Sequence, residues 1–483
     1  MARTRRRPVA QIVSFLLLAS AARADPNLPY DDPRWIGLRD SVAKGAAPDN
    51  FGGVEWADDD RHVGSGWWAT LFRRVTLRDD ASDKPDRPYS LPLRPRDLEG
   101  YVSLSCEYQE GRPCGDGIRS SIELDSAVGL GSLLTAFTRV RAGAGTHFGD
   151  AVQLDRGYLK FEYGPLWAQF GRDVLALGPA VRGSLMVSAN AVPQDGFRIQ
   201  LRPVELPLVP VRLSVFYFID RLRAPQRFSG TLADATRIQF DVGKHVQFGG
   251  TRLLEIGGHG APYYGGFVGF IEEHFGRTRE GGPGGTAENN RLSGDISVRV
   301  PSWRAARFYY EFAFEDTRKA FLNSVQYDAD HLIGFEMRDL RVGPWRRLFV
   351  ELTHTGWVSQ EHGTFVSGMT NGGRTLGSAL GPDATSFWVR ADLELAGTTI
   401  SPWAEMLRFG SAMFGSDQEN GVFVTAPGPI EHRQRLGADF ITQLPGSLSI
   451  SGGVFAERIA NADLVEGSTV LNLGFRVALT FVP

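Results

Sequence analysis

From about residue 98 to the end of the chain, apolar and polar positions alternate in one segment after another. The last segment is the clearest. Leu471, Leu473, Phe475, Val477, Leu479 and Phe481 interleave with Asn472, Gly474, Arg476, Ala478 and Thr480. Side chains on a strand point alternately to its two faces, so one face here suits lipid and the other a polar lumen. The segment ends almost at the last residue, as the closing strand of a bacterial outer-membrane barrel does. One departure is Val482-Pro483 after Phe481, where such barrels usually end on an aromatic residue. The same period runs through Val211 to Ile219, Phe308 to Phe314, Phe387 to Leu395 and Leu448 to Ala456. A β-sandwich also alternates, but it does not need so many long strands from one domain.

The connections add a second rhythm. Short turns fall at Gly164-Pro165, Pro301-Ser302, Gly343-Pro344, Gly397-Thr398 and Pro445-Gly446. Long polar loops fall near 173–195, 223–235, 317–328, 357–384 and 411–431. Short turns on one side and long loops on the other are the signature of a transmembrane barrel. Trp167, Trp303, Trp345 and Trp403 lie near short turns, the depth expected of an interfacial aromatic girdle. Only the stretch from Tyr263 to Gly276 disturbs the rhythm. Phe267, Phe270, Ile271 and His274 there have helical spacing, and reading it as a helix inside a long external loop restores the alternation. The expectation is an all-β fold: a transmembrane antiparallel β-barrel of about 18 strands over residues 98–483, with both chain ends on the periplasmic side.

Ahead of the barrel, residues 25–97 read as a periplasmic segment. Asp32-Pro33 makes a helix start, Trp35, Leu38 and Val42 share a face, and Gly45 follows as a stop, so a short helix is expected near 33–44. Residues 78–97, rich in Asp, Pro and Arg, read as a linker. Residues 1–24 read as a cleaved signal peptide. Arg3, Arg5, Arg6 and Arg7 precede a short apolar run from Ile12 to Ala19 and the small-x-small site Ala22-Arg23-Ala24. That run is too short to cross a bilayer as a helix, which takes about 20 residues. The expected location is the outer membrane.

Composition narrows the function classes. Removing the signal lowers Lys+Arg from 52 to 47 against 55 acidic residues, taking the formal charge from −3 to −8. No basic stripe marks a nucleic-acid partner. The 42% hydrophobic share would suit a soluble protein, but strand alternation keeps barrels equally moderate. The two cysteines, Cys106 and Cys114, are a disulfide candidate in an oxidising envelope compartment, with unpaired thiols the alternative.

Catalytic and metal motifs are lacking. There is no phosphate-cradling loop, no HExxH and no paired CxxC, so no cofactor, no metal and no enzyme activity is expected. Glu272-Glu273-His274 and Asp58-Asp59-Asp60 read as solvated polar stretches. His354 is in phase with outward Leu348, Val350 and Leu352, but it lacks the nucleophile and orienting partner of a lipid hydrolase. Planar side chains in or beside long loops are the better candidates. Tyr263, Tyr264, Trp357, His362, Asn371 and Arg374 combine aromatic faces for stacking on sugars with groups that hydrogen-bond hydroxyls and carboxylates. The competing reading makes the aromatic members of this set part of the outer girdle.

Several stretches carry a resemblance. Asn371-Gly372-Gly373-Arg374-Thr375-Leu376-Gly377-Ser378-Ala379-Leu380-Gly381-Pro382-Asp383 resembles the "GRPLGHxLGPD" segment of the capsule-assembly (Wzi) family. Gln169-Phe170-Gly171-Arg172-Asp173, Gly178-Pro179 and the run Gly183 to Asn190 resemble its "GR…WGPG…GSLxLSNN" loop. Glu255-Ile256-Gly257-Gly258, the run Gly294 to Pro301, and Phe312 to Asp316 are similar to further family stretches in the same order. Thr375 and Ser378 depart from the pattern, which has Pro and His there. The periplasmic helices of some members are reduced here to one.

The resemblance implies an eighteen-stranded barrel whose outer face binds capsular or exopolysaccharide without a cofactor, in a lectin-like manner, and helps attach it to the cell surface. Its partners would be that polysaccharide and outer-membrane lipid, with a monomer expected. The alternative is a porin or diffusion channel, since a barrel of this size leaves an aqueous lumen unless loops plug it. The loop holding Leu177, Gly178, Pro179 and Gly183 is long and apolar enough to fold inward as that plug.

Overall fold

The computed structural model describes residues 40, 67–82, 88–89, 103–104, 117–130, 133–145, 152–261, 288–315, 329–356, 359–360, 362, 364–365, 367–410, 413–417, 422–426 and 429–481. The signal peptide, Cys106 and Cys114, the expected helix at 263–276 with Tyr263 and Tyr264, and Trp357 lie outside them.

One 18-stranded antiparallel sheet dominates the described chain. Its first six strands are β1 (Trp67–Ser82), β2 (Gly117–Leu130), β3 (Leu134–Gly145), β4 (Val152–Tyr163), β5 (Leu166–Asp173) and β6 (Gln194–Glu205). The next six are β7 (Val211–Arg221), β8 (Leu232–Val242), β9 (Val246–Ile256), β10 (Glu288–Val300), β11 (Ala306–Glu315) and β12 (Asp330–Met337). The last six are β13 (Trp345–Thr355), β14 (Ala384–Leu395), β15 (Thr398–Phe409), β16 (Glu431–Leu444), β17 (Leu448–Ala460) and β18 (Thr469–Phe481). Each pairs with its sequence neighbours, and β1 pairs with β18 from Val75↔Phe481 to Ser82↔Gly474 as well as with β2. The pairings therefore form an unbroken ring, which leaves no exposed strand edge.

Short and long connections alternate around this ring as the sequence pattern predicts. The tight turns at 164–165, 301–305, 396–397 and 445–447 lie on one side, and the connections 174–193, 222–231 and 356–383 lie on the other. One boundary moves. The ring takes in Trp67–Ser82, ahead of the residue-98 start expected from sequence. Arg73-Arg74 interrupts its apolar row, and its pairing with β2 shifts register between Thr70 and Arg74. A bulge of this kind breaks the two-residue period that marks a strand in sequence.

The ring wall is inverted relative to a soluble protein. In β3, Thr135, Phe137, Arg139 and Arg141 are buried, whereas Thr138 and Val140 between them are exposed. Leu352, Phe387, Met406, Leu436 and Val454 are likewise exposed on the outside. That arrangement suits a barrel whose solvent is lipid. Inside, charges meet partners, as burial requires. Arg139 donates to both oxygens of Asp125 at 2.6 and 2.8 Å, and Arg237 to both of Asp295 at 2.6 and 3.0 Å. Trp167 belongs to this interior. It was expected in the interfacial girdle, but it is 4% exposed and packs on Phe216, with Lys160 over its ring. Trp303 does lie at the surface, stacked on Phe308 beside the 301–305 turn.

Asp40 is helical and lies at the short-turn end. It accepts from Arg347 at 2.6 Å and from Arg338 at 3.2 Å, on either side of the turn joining β12 and β13. The remainder of the expected helix at 33–44 lies outside the described residues.

Candidate functional site

The interior is not empty. No residue from Val174 to Pro193, the connection between β5 and β6, is exposed. Leu177, Leu185, Met186 and Val187 are each 0–1% exposed, in one apolar cluster with Phe216 and Phe218 of β7, Ala233 and Ala235 of β8, and Ala313 of β11. Small inward residues on β8 and β11 leave the volume that the loop fills. Leu177 and Val187 also bridge across the loop, with Leu177 N–H donating to Val187 O at 2.8 Å.

Polar bonds carry the loop from wall to wall. Val181 N–H donates to Glu351 of β13 at 2.6 Å, and Ser184 Oγ to Glu311 of β11 at 2.7 Å. The Arg307 guanidinium reaches Pro179 O at 2.7 Å. Arg182 forks onto Glu405 of β15, with its Nη2 2.8 Å from Oε2. β15 lies diametrically across the ring from β6, with eight strands between them in either direction. A loop rooted at β6 and bonded to β15 therefore crosses the whole bore. Gly178 makes one bend possible. Its φ is +129°, and a Cβ there would stand 2.3 Å from Ser184 Oγ.

A second connection, 356–383, locks onto the first. Its Asn371-Gly372-Gly373-Arg374 stretch forms a two-residue hairpin turn, with φ of +61° at Gly372 and +77° at Gly373. Positive φ at both central residues is what a type I′ turn demands, and glycine supplies it without strain. Ser188 Oγ donates to Gly377 O at 2.5 Å, and Asn190 Nδ2 to Thr375 Oγ1 at 3.0 Å. Gly377 comes so close that a Cβ would lie 2.0 Å from Leu185 O. Thr375 Oγ1 in turn donates to Ser378 O at 2.8 Å, so two residues that depart from the family pattern act in this lock.

The side chain of Asn371 ties three connections together. Its Oδ1 accepts from Arg223 N–H at 2.7 Å, in the β7–β8 connection, and its Nδ2 donates to Val192 O at 2.9 Å. Asn371 is 0% and Arg374 5% exposed. Both face neighbouring loops. His362 is partly exposed, and its Nδ1 accepts from the backbone N–H of Thr364 and Phe365 at 3.2 Å each. The structure thus brings Leu177, Gly178, Pro179 and Gly183 together with Asn371 and Arg374, and leaves His362 apart from them. Between Arg182, Ser188, Glu351, Ser378, Ser386 and Trp388 remains a cavity of about 20 Å³. That is room for a water molecule, not a sugar ring.

Glu311, Glu351 and Glu405 are the residues that sequence reasoning missed. Alternation puts them inside, but nothing local tells which loop reaches them. One signal was readable. β7 is apolar on both faces, with Val215, Tyr217 and Ile219 outward and Phe216 and Phe218 inward, as a wall strand is when something apolar covers its inner face. His354 is exposed on the outer face beside Thr385 Oγ1 at 3.0 Å, in phase with Leu352 as read from sequence. Among the described residues no group of three or more His, Cys, Asp or Glu could hold a metal ion.

A family model described as capsule assembly protein Wzi matches residues 103–472. The chain belongs to the Wzi family. Among solved structures it is similar to Wzi of Escherichia coli, an outer-membrane protein described as involved in group 1 capsule assembly and as a carbohydrate-binding β-barrel. The identity is 13%, covering 85% of this chain and 84% of that one, with a TM-score of 0.62. Two barrels of Pseudomonas aeruginosa are more distant. OccD3 (OpdP) has 11% identity over 87% of this chain and 93% of its own, and OprD has 12% over 90% and 98%, each with a TM-score of 0.47. No curated protein matches the sequence. The Wzi-family match spans the loop pair that fills the bore.

Proposed function

We propose that this Wzi-family barrel resides in the outer membrane and binds capsular or extracellular polysaccharide at its loop side, helping to hold that polysaccharide on the cell. The activity is lectin-like, needs no cofactor and involves no covalent step. The observation that carries this reading is the crossing of the bore by residues 174–193, anchored at Glu311, Glu351 and Glu405 and locked by 356–383. A conducting pore needs that space for water. A binding surface needs the opposite, loops already fixed before the ligand arrives, because pre-organisation lowers the entropy lost on association.

In this reading Tyr263, Tyr264, Trp357 and His362 offer stacking faces and hydrogen-bonding edges to sugar rings. Asn371 and Arg374 bond described loops to one another, Asn371 to Arg223 and Val192 and Arg374 to Asn190. Purified protein in a planar bilayer is expected to remain closed, and the same preparation is expected to retain the host's polysaccharide on an affinity column. Large, steady current steps together with no retention would replace this reading by a diffusion channel.

A further inference from the structure

On its outer face the wall carries a cationic row where the apolar belt meets the long loops. Cross-strand pairing sets His331 of β12 opposite His354 of β13, His354 opposite Thr385 of β14, Thr385 opposite Arg408 of β15, and Arg408 opposite His432 of β16. One step toward the short turns, Gln434 of β16 pairs with Arg458 of β17. Each of these alternates with buried or half-buried neighbours, so they point outward, and His354, Arg408, His432 and Arg458 are exposed. The row spans five strand spacings, about 24 Å at the usual separation.

The surroundings give the row its meaning. Toward the short turns the outward positions become Leu352, Phe387, Met406, Leu436 and Val454, all apolar and exposed. Elsewhere on the outer face, two cations have carboxylates beside them. Arg172 pairs with Asp195 at 2.6 Å, and at the opposite rim Arg346 pairs with Glu394 at 3.2 Å. Along β12–β18, from the row to the apolar belt, no described outward position is acidic, and exposed Glu466 stands beyond the row in the β17–β18 connection. Cations at the edge of an apolar belt lie where lipid headgroups begin, and long Arg side chains can reach along the surface to them.

We infer that His331, His354, Arg408, His432 and Arg458 form a docking stripe for a phosphate-bearing lipid headgroup of the leaflet on the loop side. The inference rests on the reading that the apolar outer face lies in a membrane. Arg supplies forked hydrogen bonds to phosphate oxygens, imidazoles add further donors, and the acyl chains lie on the belt below. The stripe would seat the barrel firmly beneath the loops that present the sugar-binding face.

The test uses the full chain, folded in detergent and offered either lipid A bearing its phosphates or the same lipid with them removed. Bound lipid is counted by native mass spectrometry. The wild type should retain the phosphorylated form preferentially. Arg408→Gln combined with Arg458→Gln should lower that retention about thirtyfold, the loss of two interfacial cations. Arg346→Gln at the opposite rim should leave it unchanged. Heat-dependent gel mobility reports whether each variant is folded, and His432→Gln gives a second variant at the stripe. Equal retention of both lipids, or unchanged retention in the folded double variant, would overturn the inference. So would a double variant that keeps the lipid but loses an acidic polysaccharide. Insertion into purely zwitterionic liposomes, scored separately, tests the membrane reading itself.

Discussion

Arg182→Ala should turn a closed barrel into one that opens. Arg182 bonds Glu405 across the full bore and lies 5.5 Å from the Trp388 ring centre, while Glu405 itself is 0% exposed on its side chain. Removing one partner of a buried pair costs about 3–5 kcal/mol, because the other charge remains desolvated. Here the lower figure applies, since Ser386 Oγ still donates to Glu405 at 2.8 Å and Arg435 stands 3.6 Å away. The loss falls on the loop and not on the wall, whose pairing is untouched. About 3 kcal/mol raises the population with the loop detached by roughly a hundredfold. Planar-bilayer recording should therefore show brief openings in Arg182→Ala that the wild type lacks, with the heat-dependent gel shift of the barrel unchanged. Traces indistinguishable from wild type would mean that this bond does not hold the loop in place.

Gly377→Val should separate the two loops. The added Cβ meets Leu185 O at 2.0 Å, Leu185 C at 2.9 Å and Met186 O at 3.2 Å, all of them backbone atoms. A flexible side-chain tip could swing aside; a backbone inside a filled bore cannot. Overpacking of this kind costs about 1–3 kcal/mol, and the immobility of the contacted atoms puts this site at the upper end. The strain is relieved by expelling one loop, so residues 174–193 become accessible to protease and cell-attached polysaccharide falls. Gly250→Val in β9 is the matched control, since a Cβ there meets nothing closer than Ser293 O at 3.7 Å. If both variants resist protease and retain polysaccharide alike, the loop lock is not what the binding face depends on.

The wall was legible because its physics is local. Leu471 to Phe481 alternate in sequence and do so in β18, and the same holds for β7, β11, β14 and β17. Turn chemistry at Gly164-Pro165 and Pro445-Gly446 separates the strands equally plainly. β1 was missed because Arg73-Arg74 and a register shift break its period. Trp167 was placed in the girdle because an indole near a turn has two faces to choose from, and only the packed interior decides between them. The site was harder. The Gly178-Pro179 loop could be read as inward-folding from its apolar residues, yet its anchors Glu311, Glu351 and Glu405 are 126–223 positions away in sequence. Asn371 and Arg374 have the residue types of a sugar site, but the neighbouring Gly372-Gly373 turn tucks them between loops. Residue type alone cannot tell a ligand contact from a loop-to-loop contact, because both use the same hydrogen-bonding groups.

The central claim is that this barrel keeps polysaccharide on the cell surface, and the most direct measurement compares a deletion strain with its complemented parent. Cell-attached and released polysaccharide are quantified separately at equal total synthesis. The account predicts that deletion shifts polysaccharide from the attached to the released fraction, and that the wild-type gene restores attachment. Equal attachment with and without the gene would contradict it.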